Sequence, residues 1–226
     1  MPHKLIIFDW DGTLMDSGQK ITRCFQSTAR DMGLHPPEGG RISQYIGLSL
    51  QESWQRLYPE ISGQTVRSLV ERYRDYWIDL DSTPMPLFPG VQSGLECLNR
   101  AGFWLAVATG NSRAGLQSAI GESGLGQHFI YTRCADESRS KPHPQMLLDI
   151  LAFTGLESSD AIMVGDTLFD LEMAKNVGMD ALPVSYGHHA RSQLMEFDDG
   201  LGVGYIAENF DDVLQFFGIT PVSNQN

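Results

Sequence analysis

The sequence predicts an α/β fold, a doubly wound parallel sheet with an α-helical domain inserted after its first strand. Three observations carry that expectation. Short apolar runs recur at Leu5–Phe8, Phe103–Ala108 and Ala161–Val164, each bounded by turn residues, the pattern of strands buried on both faces. Helical patterns alternate with the later runs. A block from about Ser17 to Thr83 holds helical patterns and no convincing strand.

Taken in order, "LIIF" is the first strand. The block that follows reads as three amphipathic stretches, "ITRCFQSTARDMG", "SLQESWQRLY" and "TVRSLVERYRDYWIDL". "HPPEGG" at 35–40 divides them, and "STPMPLFPG" at 82–90, with three prolines and a glycine, closes the block. Gly90–Arg100 then places Val91, Leu95 and Leu98 on one helical face before the strand "FWLAVA". Phe129–Thr132 is a weaker strand candidate. Pro144–Phe153 carries Met146, Leu147, Ile150 and Leu151 on one face, the strand "AIMV" follows, and Ala181–Val184 is a second weak strand. The domains expected are therefore a core of residues 1–16 and 84–226 and a helical domain of residues 17–83. "GLGVG" at 200–204 imitates a nucleotide loop but lacks a strand–helix context, so it reads as a turn, and "TPVSNQN" is expected to fray.

The 226 residues are 42% apolar and 19% charged, an ordinary globular balance. A net charge of −12 with no block of basic residues argues against a nucleic-acid groove or an anionic membrane surface. No apolar run approaches the roughly 18 residues that a membrane-spanning helix needs. The run at Leu5 is also too short for a signal-peptide core, so a soluble, cytoplasmic monomer or homodimer is expected. Cys24, Cys97 and Cys134 are odd in number and contain no CxxC pair, so they read as small buried apolar residues.

The chemistry lies where the strong strands end. The first ends in Asp9-Trp10-Asp11-Gly12-Thr13, the second in Thr109-Gly110-Asn111-Ser112, and the third in Gly165-Asp166-Thr167, with Asp170 a helical turn further on. Ser140-Lys141-Pro142-His143-Pro144 lies between the second and third. In a parallel sheet these ends converge on one edge. So many acids would repel and raise one another's pKa values, and a hard divalent cation with oxygen ligands, Mg²⁺, resolves the repulsion. One lysine and one hydroxyl could then hold a phosphate, and a carboxylate attacking phosphorus gives an aspartyl-phosphate.

The ordered set "DWDGTLMDS", "ATGNS", "SKPHP" and "GDTLFD" resembles the four motifs of the haloacid dehalogenase (HAD) superfamily of phosphotransferases. The inserted block sits where its phosphoglycolate-phosphatase-like members carry a helical cap. The resemblance implies a Rossmann-like core, Asp9 as nucleophile and Asp11 as general acid and base. It implies that Thr109 and Lys141 bind the phosphoryl group, with Lys141 also steadying Asp9 and Gly110 and Asn111 beside them. Gly12 would turn the chain and bring backbone N–H groups to the phosphate. Mg²⁺ would be held by the Asp9 carboxylate, the Asp11 carbonyl and Asp166, with Asp170 behind them. The implied activity is Mg²⁺-dependent hydrolysis of a small phosphorylated metabolite such as phosphoglycolate, a nucleotide or a sugar phosphate. The alternatives are a sugar phosphomutase and a non-catalytic binding protein. "YIGLSLQES" (Tyr45–Ser53), with no basic residue, favours water over a sugar hydroxyl as acceptor.

Blander readings stand beside these. A solitary lysine such as Lys141 is more often solvated, and Asp170 could be a helix-start acid favoured by the dipole. His188 and His189, adjacent on a loop, are expected to point apart rather than share a metal. Trp54, Tyr73, Tyr76 and Trp77 fit helix faces packed on each other. Arg41 and Arg56, which could meet a second anionic end of a substrate, read more readily as surface arginines, and His35 and His128 carry no assigned chemistry.

Overall fold

The computed structural model describes residues 3–197 and 204–220. The element order is β1 (Leu5–Phe8), α1 (Gly18–Asp31), α2 (Gly39–Ser43), α3 (Leu50–Leu57), α4 (Gly63–Asp75) and a π turn at Tyr76–Leu80. Then come α5 (Val91–Arg100), β2 (Trp104–Thr109), α6 (Arg113–Ser123), β3 (Tyr131–Cys134), α7 (Gln145–Thr154) and β4 (Ala161–Gly165). The chain continues through α8 (Leu168–Lys175), β5 (Asp180–Pro183), α9 (Arg191–Met195) and α10 (Phe210–Phe216). The five strands form one sheet in the order β3-β2-β1-β4-β5, with every pairing parallel.

The period of two along each strand explains the two layers of helices. Ile6, Phe8, Val107 and Val164 face one side and pack with Val91 and Leu95 of α5 and Phe210 and Val213 of α10. Leu5, Ile7, Ala106 and Met163 face the other and pack with Met146 and Ile150 of α7 and Met173 of α8. All four residues of β1 are buried, which is why the central strand reads as a continuous apolar run.

The weaker strands are displaced from their predicted positions. β3 starts at Tyr131 rather than Phe129, because Leu125–His128 forms a 3₁₀ turn and Phe129 packs on the core as an approach to the strand. As the edge strand, β3 tolerates the polar Thr132 and Arg133 that disguised it. β5 starts at Asp180, and Val184 beyond it bridges to Ala207.

Helices α1 to α4 enclose a third apolar cluster around Phe25, Trp54, Leu69 and Tyr73. Two local features differ from the sequence reading. Gly39 and Gly40 open α2 instead of belonging to the break, with Glu38 as its N-cap, so the interruption ends at the tandem prolines. The last amphipathic stretch leaves the α geometry after Asp75 and closes as the π turn. Trp77 in that turn stacks on Tyr73 with ring centroids 6.0 Å apart. No helix among the described residues is long and apolar enough to cross a membrane. Residues 200–203 of "GLGVG" and residues 221–226 of the tail lie outside the described residues.

Candidate active site

The register of the sheet assembles the site. Phe8 lies opposite Val107 on one side and Val164 on the other, so Asp9, Thr109 and Asp166 emerge together at the carboxyl edge. Asp9 is 1% exposed. Its Oδ1 accepts from the Trp10 N–H at 2.7 Å and from Lys141 Nζ at 2.8 Å. Its Oδ2 is buried and meets no hydrogen-bond partner. A buried carboxylate oxygen with nothing to accept from is costly and points to a ligand.

Lys141 is fully buried, so the solvated reading does not hold. Its ammonium also reaches Asp170 Oδ1 at 2.6 Å and thus bridges Asp9 and Asp170. Burial works against the ammonium, but Asp170 and Asp9 outweigh it and push its pKa upward. Asp170 does cap its helix, as the blander reading held: Oδ2 accepts from the Thr167 N–H at 3.1 Å and Thr167 Oγ1 at 2.7 Å. Its two oxygens therefore serve two purposes. Asp166 Oδ1 accepts from Thr13 Oγ1 at 3.0 Å, and Oδ2 accepts from the His188 N–H at 2.7 Å.

Asp9, Asp166 and Asp170 each offer a carboxylate oxygen within 4.8 Å of the others. Three buried carboxylates around one ammonium leave an excess of negative charge, and every donor is a hard oxygen. With Asp9 Oδ2 unpartnered, this set fits a hard divalent cation. Burial raises the Asp9 pKa well above the usual carboxylate range, Lys141 pulls it down, and Asp170 and Asp166 push it up again. Burial raises that of Asp166 as well.

The Asp11 carboxylate belongs to different surroundings and is not part of that cluster. Oδ1 accepts from Ser17 Oγ at 2.6 Å and Oδ2 from Asn111 Nδ2 at 3.3 Å. Burial raises its pKa, opposed first by the Ser17 hydroxyl. Thr109 is buried with its Oγ1 accepting from the Asn111 N–H at 3.1 Å, and Asn111 Oδ1 accepts from the Ser112 N–H at 2.8 Å.

Gly12 corrects the sequence reading in one respect. Its N–H donates to the Met15 carbonyl at 2.9 Å and is not free for a phosphate. What the position requires is a φ of +88° and the absence of a side chain, because a Cβ would collide with Asp166 Oδ2. Gly12→Ala is expected to cost about 1–3 kcal/mol and to displace Asp166. Thermal unfolding should show a Tm lower by roughly 2–12 °C, and an unchanged Tm would contradict the packing described. Gly110 is held by a close approach instead: a Cβ there would strike the Gly47 carbonyl.

Asp9, Asp11, Thr109, Gly110 and Asn111 line one cavity, opposite Tyr45, Leu48, Tyr73 and Trp77 of the helical block. Lys141, Asp166 and Asp170 stand behind its Asp9 wall. Tyr73 and Trp77 therefore serve both as helix packing and as cavity wall, whereas Trp54 packs on Phe25 at 4.5 Å between centroids, and Tyr76 donates to Asp31 at 2.9 Å. Arg41 donates to the Leu57 carbonyl at 3.0 Å and Arg56 to Glu52 at 2.7 Å, and neither lines the cavity. His189 Nδ1 accepts from the Leu168 N–H at 3.1 Å, while the His188 ring lies against Gly12 and Gly18, so the two histidines do point apart. Burial holds the His189 pKa below the usual value. His128 pairs with Asn99 at 2.8 Å, and the three cysteines are free and buried.

Sequence reasoning gave no role to Thr13 or the His188 main chain, and it favoured helix packing over a substrate role for Tyr73 and Trp77. His188 was within reach, since β5 ends at the same sheet edge and "SYGHH" follows it.

The sequence resembles several known proteins along most of its length. It is 36% identical over 194 residues to "Probable phosphatase IndB" of Dickeya dadantii (strain 3937), covering 84% of each chain. It is 27% identical over 217 residues to "Pyrophosphatase PpaX" of Halalkalibacterium halodurans, covering 95% of this chain and 96% of that one. The crystal structure of "a predicted phosphoglycolate phosphatase" from Haemophilus somnus 129pt superposes with a TM-score of 0.84 at 23% identity, covering 96% of this chain and 99% of that one. At that identity it speaks for the fold. The model of the family described as haloacid dehalogenase-like hydrolase matches residues 6–184, from within β1 to just past β5, and this chain belongs to that family.

Proposed function

We propose that this protein is a Mg²⁺-dependent phosphatase that takes the phosphoryl group of a small phosphomonoester onto Asp9. Residues 17–83 act as a cap over a core formed by residues 1–16 and 84–226. The observation that best supports this reading is the asymmetry of the Asp9 carboxylate. Oδ1 is pinned by Lys141 and the Trp10 N–H, while Oδ2 is buried, unpartnered and part of a cavity-lining residue. A carboxylate fixed in orientation with one oxygen free is prepared for in-line attack.

The Asp9 carboxylate attacks phosphorus as the ester O–P bond breaks, and Asp11 gives its proton to the departing alkoxide. Asp11 then takes a proton from a water attacking the aspartyl-phosphate, whose O–P bond breaks to release inorganic phosphate and restore Asp9. Its environment suits both steps, because burial favours the protonated form and Ser17 and Asn111 hold the carboxylate without a cation. Lys141 balances charge on Asp9 and the transferring group, and Thr109 and Asn111 border the space the phosphoryl group would fill. Asp9, Asp166 and Asp170, with the Asp11 carbonyl, would hold Mg²⁺, which when bound neutralises phosphoryl charge. The phosphatase names carried by relatives support phosphoryl chemistry for this chain.

The direct test is hydrolysis of a generic aryl phosphate by the purified protein, abolished by EDTA and restored by Mg²⁺. Folded protein with no such activity would contradict the reading.

The carboxylates also predict a stability signature. In metal-free protein, Asp9, Asp11 and Asp166 have folded-state pKa values above their unfolded ones. Their protonation favours the native state below the unfolded carboxylate pKa, and that contribution is lost as pH rises through the folded values. At neutral pH the metal-free site is therefore destabilising, and Mg²⁺ at 100 times its Kd should add about 2.7 kcal/mol. That is a Tm rise of roughly 5–11 °C at pH 7, shrinking toward pH 5. A Tm indifferent to Mg²⁺ at both pH values would exclude the carboxylate cluster as its site.

A further inference from the structure

The cavity that receives the phosphoryl group also has to receive whatever the phosphoryl group leaves behind. Its walls divide sharply by chemistry. On the core side the ionisable lining groups are Asp9 and Asp11, both acids. On the other side stand Phe25, Leu48, Leu50, Tyr45, Tyr73 and Trp77. Among the described residues, no lysine, arginine or histidine lines the cavity.

Most of the nearby cations are committed elsewhere, although Arg74 lines the adjoining cavity that shares Leu50 and Gly110, 3.8 Å from Asp136. Arg23 is 3.0 Å from Asp81, Arg56 is 2.7 Å from Glu52, and Arg41 donates to a main-chain carbonyl. Lys141 is held between Asp9 and Asp170, where it serves the phosphoryl end. Lys20 places its ammonium 5.2 Å from the centroid of the Trp77 ring and is not a lining residue. Ser53, the lining serine of the helical block, donates inside that block, to the carbonyls of Tyr45 and Ser49, both at 3.0 Å.

We infer that the leaving group is an uncharged alcohol with an apolar or aromatic body. This deepens the phosphatase reading above and rests on it. A leaving group with a carboxylate or a second phosphate would bring a charge against a wall in which no lining residue is cationic, and toward two acids. Unpaired charge in such surroundings is rejected far more strongly than a misfitting methyl group. A quaternary ammonium could favour aromatic faces, but the Lys20 ammonium already occupies the surroundings of Trp77 and opposes it. An apolar ring or branched chain has neither penalty and removes the aromatic wall from water.

The test compares three esters of primary alcohols under one set of conditions with Mg²⁺: benzyl phosphate, phosphoglycolate and phosphocholine. Benzyl phosphate should be turned over with kcat/KM at least about 100-fold above either of the others. Leu50→Arg, which sets a cation in the apolar wall, should narrow the benzyl-to-phosphoglycolate ratio by about tenfold or more. Phosphoglycolate or phosphocholine turned over as well as benzyl phosphate would overturn the inference while leaving the phosphatase reading intact. An unchanged ratio in a folded, active Leu50→Arg protein would overturn it too. Failure of all three esters, together with absence of any phosphorylated Asp9, would instead remove the phosphatase reading on which the inference stands.

Discussion

Asp9→Asn is expected to abolish turnover, with a loss of at least about 10⁴-fold in kcat, while the protein stays folded. The substitution is nearly isosteric, and the amide oxygen can still accept from the Trp10 N–H that now reaches Oδ1 at 2.7 Å. What disappears is the anionic carboxylate, with its buried and unpartnered Oδ2, that the reaction requires as nucleophile. Removing one of three crowded carboxylates also relieves repulsion from Asp170 and Asp166, so the fold has no reason to collapse. The Asp9–Lys141 attraction is lost, yet the ammonium keeps Asp170 at 2.6 Å. Steady-state kinetics with an aryl phosphate beside circular dichroism of the same sample separate the two effects. Substantial residual turnover in pure, folded Asp9→Asn would mean that another group attacks phosphorus.

Lys141→Met should produce the largest loss of stability as well as a severe loss of activity. Methionine fills much of the same volume but leaves Asp9 and Asp170, 1% and 0% exposed, without their shared cation. Breaking a buried ion pair from one side costs about 3–5 kcal/mol, which for a chain of this size lowers Tm by roughly 6–20 °C. The pH dependence carries a distinct sign. Without Lys141 the already raised Asp9 pKa rises further, so the variant is most disadvantaged at neutral pH. The gap from wild type should shrink as pH falls through that raised value and Asp9 takes up a proton. Thermal melts from pH 7 down to pH 4.5 measure this. A deficit that stays constant over that range would point to packing rather than charge as the role of Lys141.

Much of this architecture could be read from residue order because the physics is local or periodic. β1, β2 and β4 are central and buried on both faces, so their apolar runs announce them. The period of two then assigns Ile6 and Phe8 to one helix layer and Leu5 and Ile7 to the other. Convergence of strand ends at one sheet edge likewise follows from parallel topology, which is why Asp9, Asp11, Thr109 and Asp166 could be grouped before any distances were available. Edge strands gave a weaker signal: the 3₁₀ turn at Leu125–His128 delays β3 by two residues, and the polar Thr132 and Arg133 that an edge tolerates disguise it.

Other features depend on packing between distant segments and leave no trace in spacing. Nothing in "SKPHP" says that Lys141 is fully buried between two carboxylates. Nothing in "DWDGTLMDS" says that the Gly12 N–H is spent on Met15, or that a missing side chain there makes room for Asp166. The π turn at Tyr76–Leu80 is equally silent in an amphipathic stretch that reads as uninterrupted helix. Yet that stretch supplies Tyr73 and Trp77, the aromatic wall facing the acids. Its contribution to substrate choice could be seen only once both walls were in view.

The central claim is that Asp9 becomes phosphorylated during turnover, and chemical trapping tests it most directly. Protein mixed with a turned-over phosphomonoester and Mg²⁺ is quenched in acid, reduced with borohydride and digested for peptide mass spectrometry. An acyl-phosphate is reduced to the alcohol whereas a free carboxylate is not, so homoserine should appear at position 9, only when substrate is present and never in Asp9→Asn. Turnover in the same sample with aspartate intact at position 9, or with the reduced residue elsewhere in the chain, would contradict the account.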